Sequence, residues 1–179
     1  MSTELNKALK GGKSKKNREE GDARLRVLHL AEGVAIVSAI VLFLFIFVFG
    51  IARVSGNSMY PSYRDGQTVL YSRLIGDLNR GDVVVIKMTN GDVYIKRVIA
   101  VPGDTIDIRD GQVYRNGNLL DEPYVTGTTF LENGKLVYPF TLGNEQYFVM
   151  GDNREHSTDS RAFGPVVYMQ IMGKPLAGG

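Results

Sequence analysis

The chain of 179 residues has no cysteine and only two histidines, His29 and His156. Without a thiol there is no disulfide and no thiolate metal site. Two histidines far apart in sequence do not make a histidine-rich metal centre, so neither a metal nor a cofactor is expected. A strong net charge is missing too, since 21 Lys/Arg against 19 Asp/Glu leave +2. That average hides an uneven distribution. Residues 1–31 carry eight Lys/Arg and four acids, Glu32 adds one negative charge, and from Ala52 onward thirteen Lys/Arg face fourteen Asp/Glu. The basic excess lies in the N-terminal tail, so a folded nucleic-acid-binding domain is not indicated.

What is present begins with that tail. Residues 1–32 are polar up to about residue 27, have Gly-Gly-Lys-Ser-Lys-Lys-Asn near their centre, and contain few large apolar side chains. Such a segment buries too little surface to offset its ordering entropy and is expected to be disordered. Residues 33–51, GVAIVSAIVLFLFIFVFGI, follow without a single charge. As a helix at about 1.5 Å per residue this stretch approaches the roughly 30 Å hydrocarbon core of a bilayer. It is too long, and its charged lead too long, for a cleavable signal peptide, so an uncleaved signal-anchor helix in the lipid bilayer is expected. The basic residues precede it, which places the tail in the cytoplasm and residues 52–179 outside.

The remainder reads as β structure. Gln67–Tyr71, Asp82–Met88, Asp92–Val101, Thr105–Ile108, Gln112–Tyr114 and Gln146–Met150 are rich in Val, Ile and Tyr. Between them stand the turn signals Asp65-Gly66, Asn90-Gly91, Asp110-Gly111, Asn116-Gly117 and Asn133-Gly134. The expected fold is mainly β: an antiparallel β-barrel or coiled sheet, with a small β-rich insertion over about residues 107–146.

Ser58, in Ser55-Gly56-Asn57-Ser58-Met59-Tyr60-Pro61, follows the apolar run closely. By local chemistry it is a nucleophile, a turn residue or a cap. A nucleophile needs a base. In Asp92–Val101 strict alternation puts Lys96 on one face with Tyr94, Val98 and Ala100, where desolvation would push it toward the neutral, proton-accepting form. The alternative is a lysine that snorkels from the sheet edge to water. Arg97, on the other face, cannot act as a base. Residues 151–164, GDNREHSTDSRAFG, form either a solvated loop of local ion pairs or a buried polar network beside a site.

Three segments, SGNSMYPS (55–62), GDVVVIK with YIKRVIAVPGD (81–87 and 94–104) and GDNREHSTDSRAFG (151–164), together with the anchor before them, resemble the bacterial type I signal peptidases. The resemblance is to the single-anchor, Gram-positive-like type. It implies a membrane-bound serine endopeptidase of the plasma membrane that removes signal peptides from exported preproteins. By that resemblance Ser58 is the nucleophile and Lys96 its general base, and Ser157 supplies a hydroxyl that orients the lysine. Asp159 and Arg161 form a supporting ion pair together with Arg97, and Asp152 and Arg154 are structural. The Ser58 N–H contributes to the oxyanion hole, while Gly56 stands where some relatives place a second, serine donor. Met59, Tyr94 and Ile95 line pockets for small residues at positions −1 and −3. The implied partners are preprotein signal peptides, the bilayer and the secretion translocon, with no nucleic acid.

Three rivals remain in view. A self-cleaving Ser–Lys regulator of related fold would carry a DNA-binding domain where this chain has an apolar span. A silent scaffold would not need Ser58 or Lys96. A Ser–His enzyme would rely on His156, which falls in the third segment. Independently of any family, Ser58 lies seven residues beyond Ile51, so an extended chain carries it at most roughly 25 Å from the apolar span.

Overall fold

The computed structural model describes residues 2–132 and 136–177, with two compact units, residues 1–46 and 47–179. The first unit is helical. Helix α1 runs from Ser2 to Val48, and its stretch Arg24–Val48, with a mean hydropathy of 2.6, is long and apolar enough to cross a membrane. The tail read as disordered is thus helical from Ser2. Pro61 is the first proline of the chain, so nothing before it interrupts the helix, and extending a formed helix avoids a second nucleation.

The apolar run does not stay helical to Ile51. Phe49–Arg53 form strand β1, the first element of the second unit. Gly50 pairs with Tyr71 in register, and a Cβ at Gly50 would overlap the Tyr71 ring. Glycine allows that close approach, so the chain leaves the helix where a strand neighbour can lie against it.

The further strands are β2 (Thr68–Ser72), β3 (Val83–Lys87), β4 (Val93–Ala100), β5 (Thr105–Arg109), β6 (Gln112–Arg115), β7 (Asn118–Leu119), β8 (Phe140–Thr141), β9 (Gln146–Met150), β10 (Val166–Val167) and β11 (Ile171–Pro175). A one-turn helix, α2, spans Ser160–Phe163. The main sheet is antiparallel in the order β1-β2-β11-β3-β4-β9-β10, and a smaller sheet has the order β7-β6-β5-β8. The fold is mainly β, and the main sheet is a curled, open one with β1 and β10 at its edges rather than a closed barrel. The insertion sheet starts at Thr105 and ends at Thr141. Its turns follow their residues: Asp110-Gly111 and Asn116-Gly117 have positive φ at both positions, as two-residue hairpins demand. Asn133-Gly134 lies outside the described residues.

The main sheet is covered on both faces. Val83, Val85 and Ile95 pack with Val54, Met59, Tyr63 and Tyr71 on one side. Val84, Ile86 and Val98 pack with Leu78, Val166 and Ile171 on the other. A register shift between Val98 and Ala100 in the pairing of β4 with β9 breaks the alternation expected along β4. Ile99 and Ala100 therefore both join the cluster of Ile106, Val113 and Phe148 that fastens the insertion to the main sheet.

Candidate active site

Ser58 lies on the turn that leads from β1 toward β2. Met59 and Tyr63, both fully buried, pin that turn to the core, and the Tyr63 N–H donates to the Met59 carbonyl at 2.8 Å. Gly56 has φ +81°, and its N–H donates to Asp65 Oδ1 at 2.8 Å, so this glycine makes a bend that side-chain-bearing residues resist. Ser58 itself stays half-buried at the edge of the core. Its N–H donates to no group among the described residues.

Lys96 reaches the serine from the middle of β4. Its Nζ lies 2.8 Å from Ser58 Oγ, and the residue is only 2 % exposed. The snorkelling alternative is therefore excluded, because a charged head that reached water could not be so enclosed. Burial pulls the lysine down from its ordinary value of 10.5 to about 8; nearby Asp159 opposes that shift and Arg161 adds to it. A lysine in this state exchanges its proton near neutral pH and can accept one from a hydroxyl it touches. The Tyr94 ring, 5.6 Å from Nζ, is its aromatic neighbour.

The third segment forms a buried polar network, not a solvated loop. Asp159 and Arg161 are paired through Nε at 2.8 Å and Nη2 at 2.9 Å, and the Gly151 N–H also donates to Asp159 at 3.0 Å. Arg97 is not part of that pair. It grips Asp152 with two hydrogen bonds of 2.8 and 2.7 Å, and Ser62 Oγ donates to the same carboxylate at 2.6 Å. Alternation points Arg97 away from the Lys96 face, so it meets Asp152 below the Ser58 turn instead of Asp159. A further correction concerns Ser157. Its hydroxyl is buried yet makes no hydrogen bond among the described residues, so it does not hold Lys96 in this conformation. The Ser157 side chain instead packs against Gly151, where a Cβ would overlap both Ser157 and the Ser58 carbonyl.

The segment also locks the serine turn directly, since the Asn153 N–H donates to the Ser58 carbonyl at 3.0 Å. Arg154, 1 % exposed, reaches into the insertion to Glu122 at 2.9 and 2.7 Å and to Thr129 Oγ1 at 2.8 Å. Thr126 continues the strap: its Oγ1 donates to the Tyr60 carbonyl at 3.3 Å and its N–H to the Asp152 carbonyl at 2.9 Å. Tyr124 covers the Arg97 guanidinium at 4.1 Å. Sequence reasoning missed Glu122, Tyr124, Thr126, Thr129 and Ser62. Nothing in the sequence signals them, because Arg154 has Asp152 and Glu155 as nearby acids along the chain while its actual partner, Glu122, is 32 residues away.

A small depression of about 30 Å³ opens beside the serine, lined among others by Val54, Met59, Tyr94 and Ile95. Its size admits a methyl-sized group and little more. A second, wider one also borders Ser58 and Lys96 and extends to Asn57, His156 and Thr158. No group of acids and histidines that could hold a metal ion occurs among the described residues.

A hydroxyl touching a buried, readily deprotonated lysine is an arrangement that can serve a serine hydrolase. The comparisons agree with that class. Residues 27–177 match the family model described as signal peptidase, peptidase S26. Signal peptidase I S of Bacillus subtilis is 40 % identical over 154 residues, covering 78 % of this chain and 82 % of that protein. Signal peptidase IB of Staphylococcus aureus is 37 % identical over 161 residues, covering 78 % and 84 %. A crystal structure of a signal peptidase I from Enterococcus faecalis matches with TM-score 0.48 and 32 % identity, over 56 % of this chain and 97 % of that one. The chain belongs to the peptidase S26 family of signal peptidases: it is a serine peptidase that cleaves signal peptides, with an apolar helix that anchors it in a membrane.

Proposed function

We propose that the enzyme cleaves preproteins with a Ser58–Lys96 dyad and prefers small residues at −1 and −3. Neutral Lys96 takes the Ser58 proton as Oγ bonds to the scissile carbonyl carbon. The oxyanion is met by the unpaired Ser58 N–H, a donor worth roughly 3 to 4 kcal/mol when preorganised. Collapse breaks the carbon–nitrogen bond, and the proton on Lys96 passes to the leaving amine. Lys96 then deprotonates a water that releases the acyl group and restores Ser58.

Gly56 offers no side-chain donor opposite Ser58, so the second contact to the oxyanion comes from backbone or water. Met59, Tyr94 and Ile95 are assigned to the pocket that selects small side chains. The extended edges at Ala52–Ser55 and Val93–Ile95 suit a substrate strand held by β-augmentation. Arg97 with Asp152, and Arg161 with Asp159, keep the lysine's surroundings fixed. Residues 1–32 are assigned to the cytoplasm, the span to the plasma membrane and residues 52–179 to the outside, next to the secretion translocon.

The single observation that carries this reading is the 2.8 Å approach of an enclosed Lys96 to Ser58. The test is the purified full-length protein acting on a model precursor with Ala-x-Ala before the cleavage site. Cleavage should disappear in Ser58→Ala and Lys96→Ala. A Ser58→Ala protein as active as wild type would overturn the dyad, and loss in His156→Ala with retention in Lys96→Ala would transfer the base to His156.

A further inference from the structure

Ser58 and Lys96 line two depressions, which also share Ser55 and Tyr94, and only the smaller one is used above. The other has a volume of about 200 Å³, and Ser55, Asn57, His156 and Thr158 stand on its wall beside the dyad. The two are built differently. The first is flanked by extended chain, at the end of β1 and in β4, which offers backbone groups to a bound strand. The second is flanked by turns. The Asn57 carbonyl accepts from the Tyr60 N–H at 3.1 Å, and the His156 N–H donates to the Asn153 carbonyl at 3.1 Å. It presents side chains rather than a strand edge.

Those side chains are uncommitted. Around the dyad, Ser62, Arg97, Asp152, Arg154, Asp159 and Arg161 all spend polar atoms on one another, on backbone or, for Arg154, on Glu122 and Thr129. The side chains of Ser55, Asn57, His156 and Thr158 make no hydrogen bond among the described residues, and all four residues are exposed. Each can donate a hydrogen bond, and no carboxylate lines the depression. A ring of free donors without an acid suits a ligand with acceptor oxygens.

We propose that this depression is a subsite for the first residues after the scissile bond, and that it takes carboxamide or carboxylate side chains there. The inference rests on the peptidase reading. A substrate whose scissile carbonyl sits at Ser58, with its preceding residues in the smaller depression, has the wider one, which also reaches Ser58 and Lys96, open to its following residues. His156 and Thr158 thereby set specificity for the start of the released protein, and the strand edges grip the signal peptide.

The full-length enzyme in detergent micelles tests this with peptides identical up to −1 that carry Gln or Leu at the first or second position beyond. One to two hydrogen bonds predict that wild type has kcat/KM about three- to tenfold higher for Gln. His156→Leu and Thr158→Val should each move the Gln-to-Leu ratio toward one; should either fail to turn over, Asn57→Leu supplies the same ratio. Equal handling of both peptides by wild type, or a ratio that survives all the substitutions, overturns the subsite. Cleavage of neither peptide by wild type removes the peptidase reading itself and this one with it.

Discussion

Lys96 Nζ touches Ser58 Oγ at 2.8 Å across a separation of 38 residues, and both ends of that contact are held from below. Met59 and Tyr63 anchor the serine turn in the core, while pairing of β3 with β4 opposite Val84 fixes the lysine. Burial keeps the lysine near about 8 and so near its useful protonation state.

Activity should follow the neutral fraction of that lysine. Since protonation removes the base, kcat/KM should rise as pH increases through about 8 and fall about tenfold for each pH step well below it. Stopped or continuous assays on an Ala-x-Ala peptide between about pH 6 and 10 give the profile. A flat profile would assign the proton transfer to another group.

The contact between Ser58 and Lys96 is legible because both sit in short, recognisable segments with distinct chemistry. The resemblance groups Arg97 with Asp159 and Arg161, whereas Arg97 meets Asp152, 55 residues away; alternation gives a face but not which distant carboxylate meets it. Glu122 was invisible for the same reason, as was the strap it belongs to, which has no strand or helix to signal it. Strand β1 was hidden inside the apolar run because Phe, Ile and Val suit a membrane helix and a strand alike, and only the Tyr71 ring over Gly50 distinguishes them.

The same burial makes Lys96 a cost to the fold. Its value lies below that of the unfolded chain, so the unfolded state binds the proton more tightly wherever lysine is charged. The penalty is complete below about pH 8 and fades toward 10.5, and the gap corresponds to about 3 kcal/mol at most. Lys96→Met should therefore raise the urea midpoint at pH 7 by an amount equivalent to about 1–3 kcal/mol and abolish cleavage. The gain should shrink at pH 10. A destabilised Lys96→Met protein would mean that packing around the ammonium outweighs its desolvation.

The Arg97–Asp152 pair makes the opposite prediction. Both side chains are nearly inaccessible, at 7 % and 1 %, so removing one leaves a buried charge unmatched. Asp152→Ala should cost about 3–5 kcal/mol in chemical denaturation. Arg97→Met with Asp152→Leu, which removes both charges, should recover most of that loss. If the double variant is no more stable than Asp152→Ala, the arginine's other bonds, to the Gly81 carbonyl at 2.9 Å and to Ser62 Oγ at 3.3 Å, are the dominant ones.

Arg154 and Glu122 tie the insertion to the serine turn. Glu122→Ala strands the guanidinium of a 1 % exposed arginine and should cost about 3–5 kcal/mol, with Glu122→Gln retaining part of the contact. Because Arg154 adjoins Asn153, whose N–H holds the Ser58 carbonyl, kcat should fall more than KM rises. Steady-state kinetics at a temperature where both variants stay folded separate the two effects. An unchanged kcat would restrict the strap to stability.

Gly151 offers the most local test of how the serine is placed. An added Cβ there meets the Ser157 side chain and the Ser58 carbonyl, and the second cannot move without carrying the nucleophile along. Overpacking of this kind costs about 1–3 kcal/mol, and a displacement of about 1 Å at a reacting atom can cost about 10²-fold in rate. Gly151→Ala should show both. Adding Ser157→Gly clears the side-chain half of the clash and leaves the backbone half. Stability should then recover only in part while kcat stays below that of Ser157→Gly alone, which would locate the effect in the Ser58 carbonyl and its bond from Asn153. Full recovery of kcat in the double variant would instead show that only the Ser157 side chain was displaced.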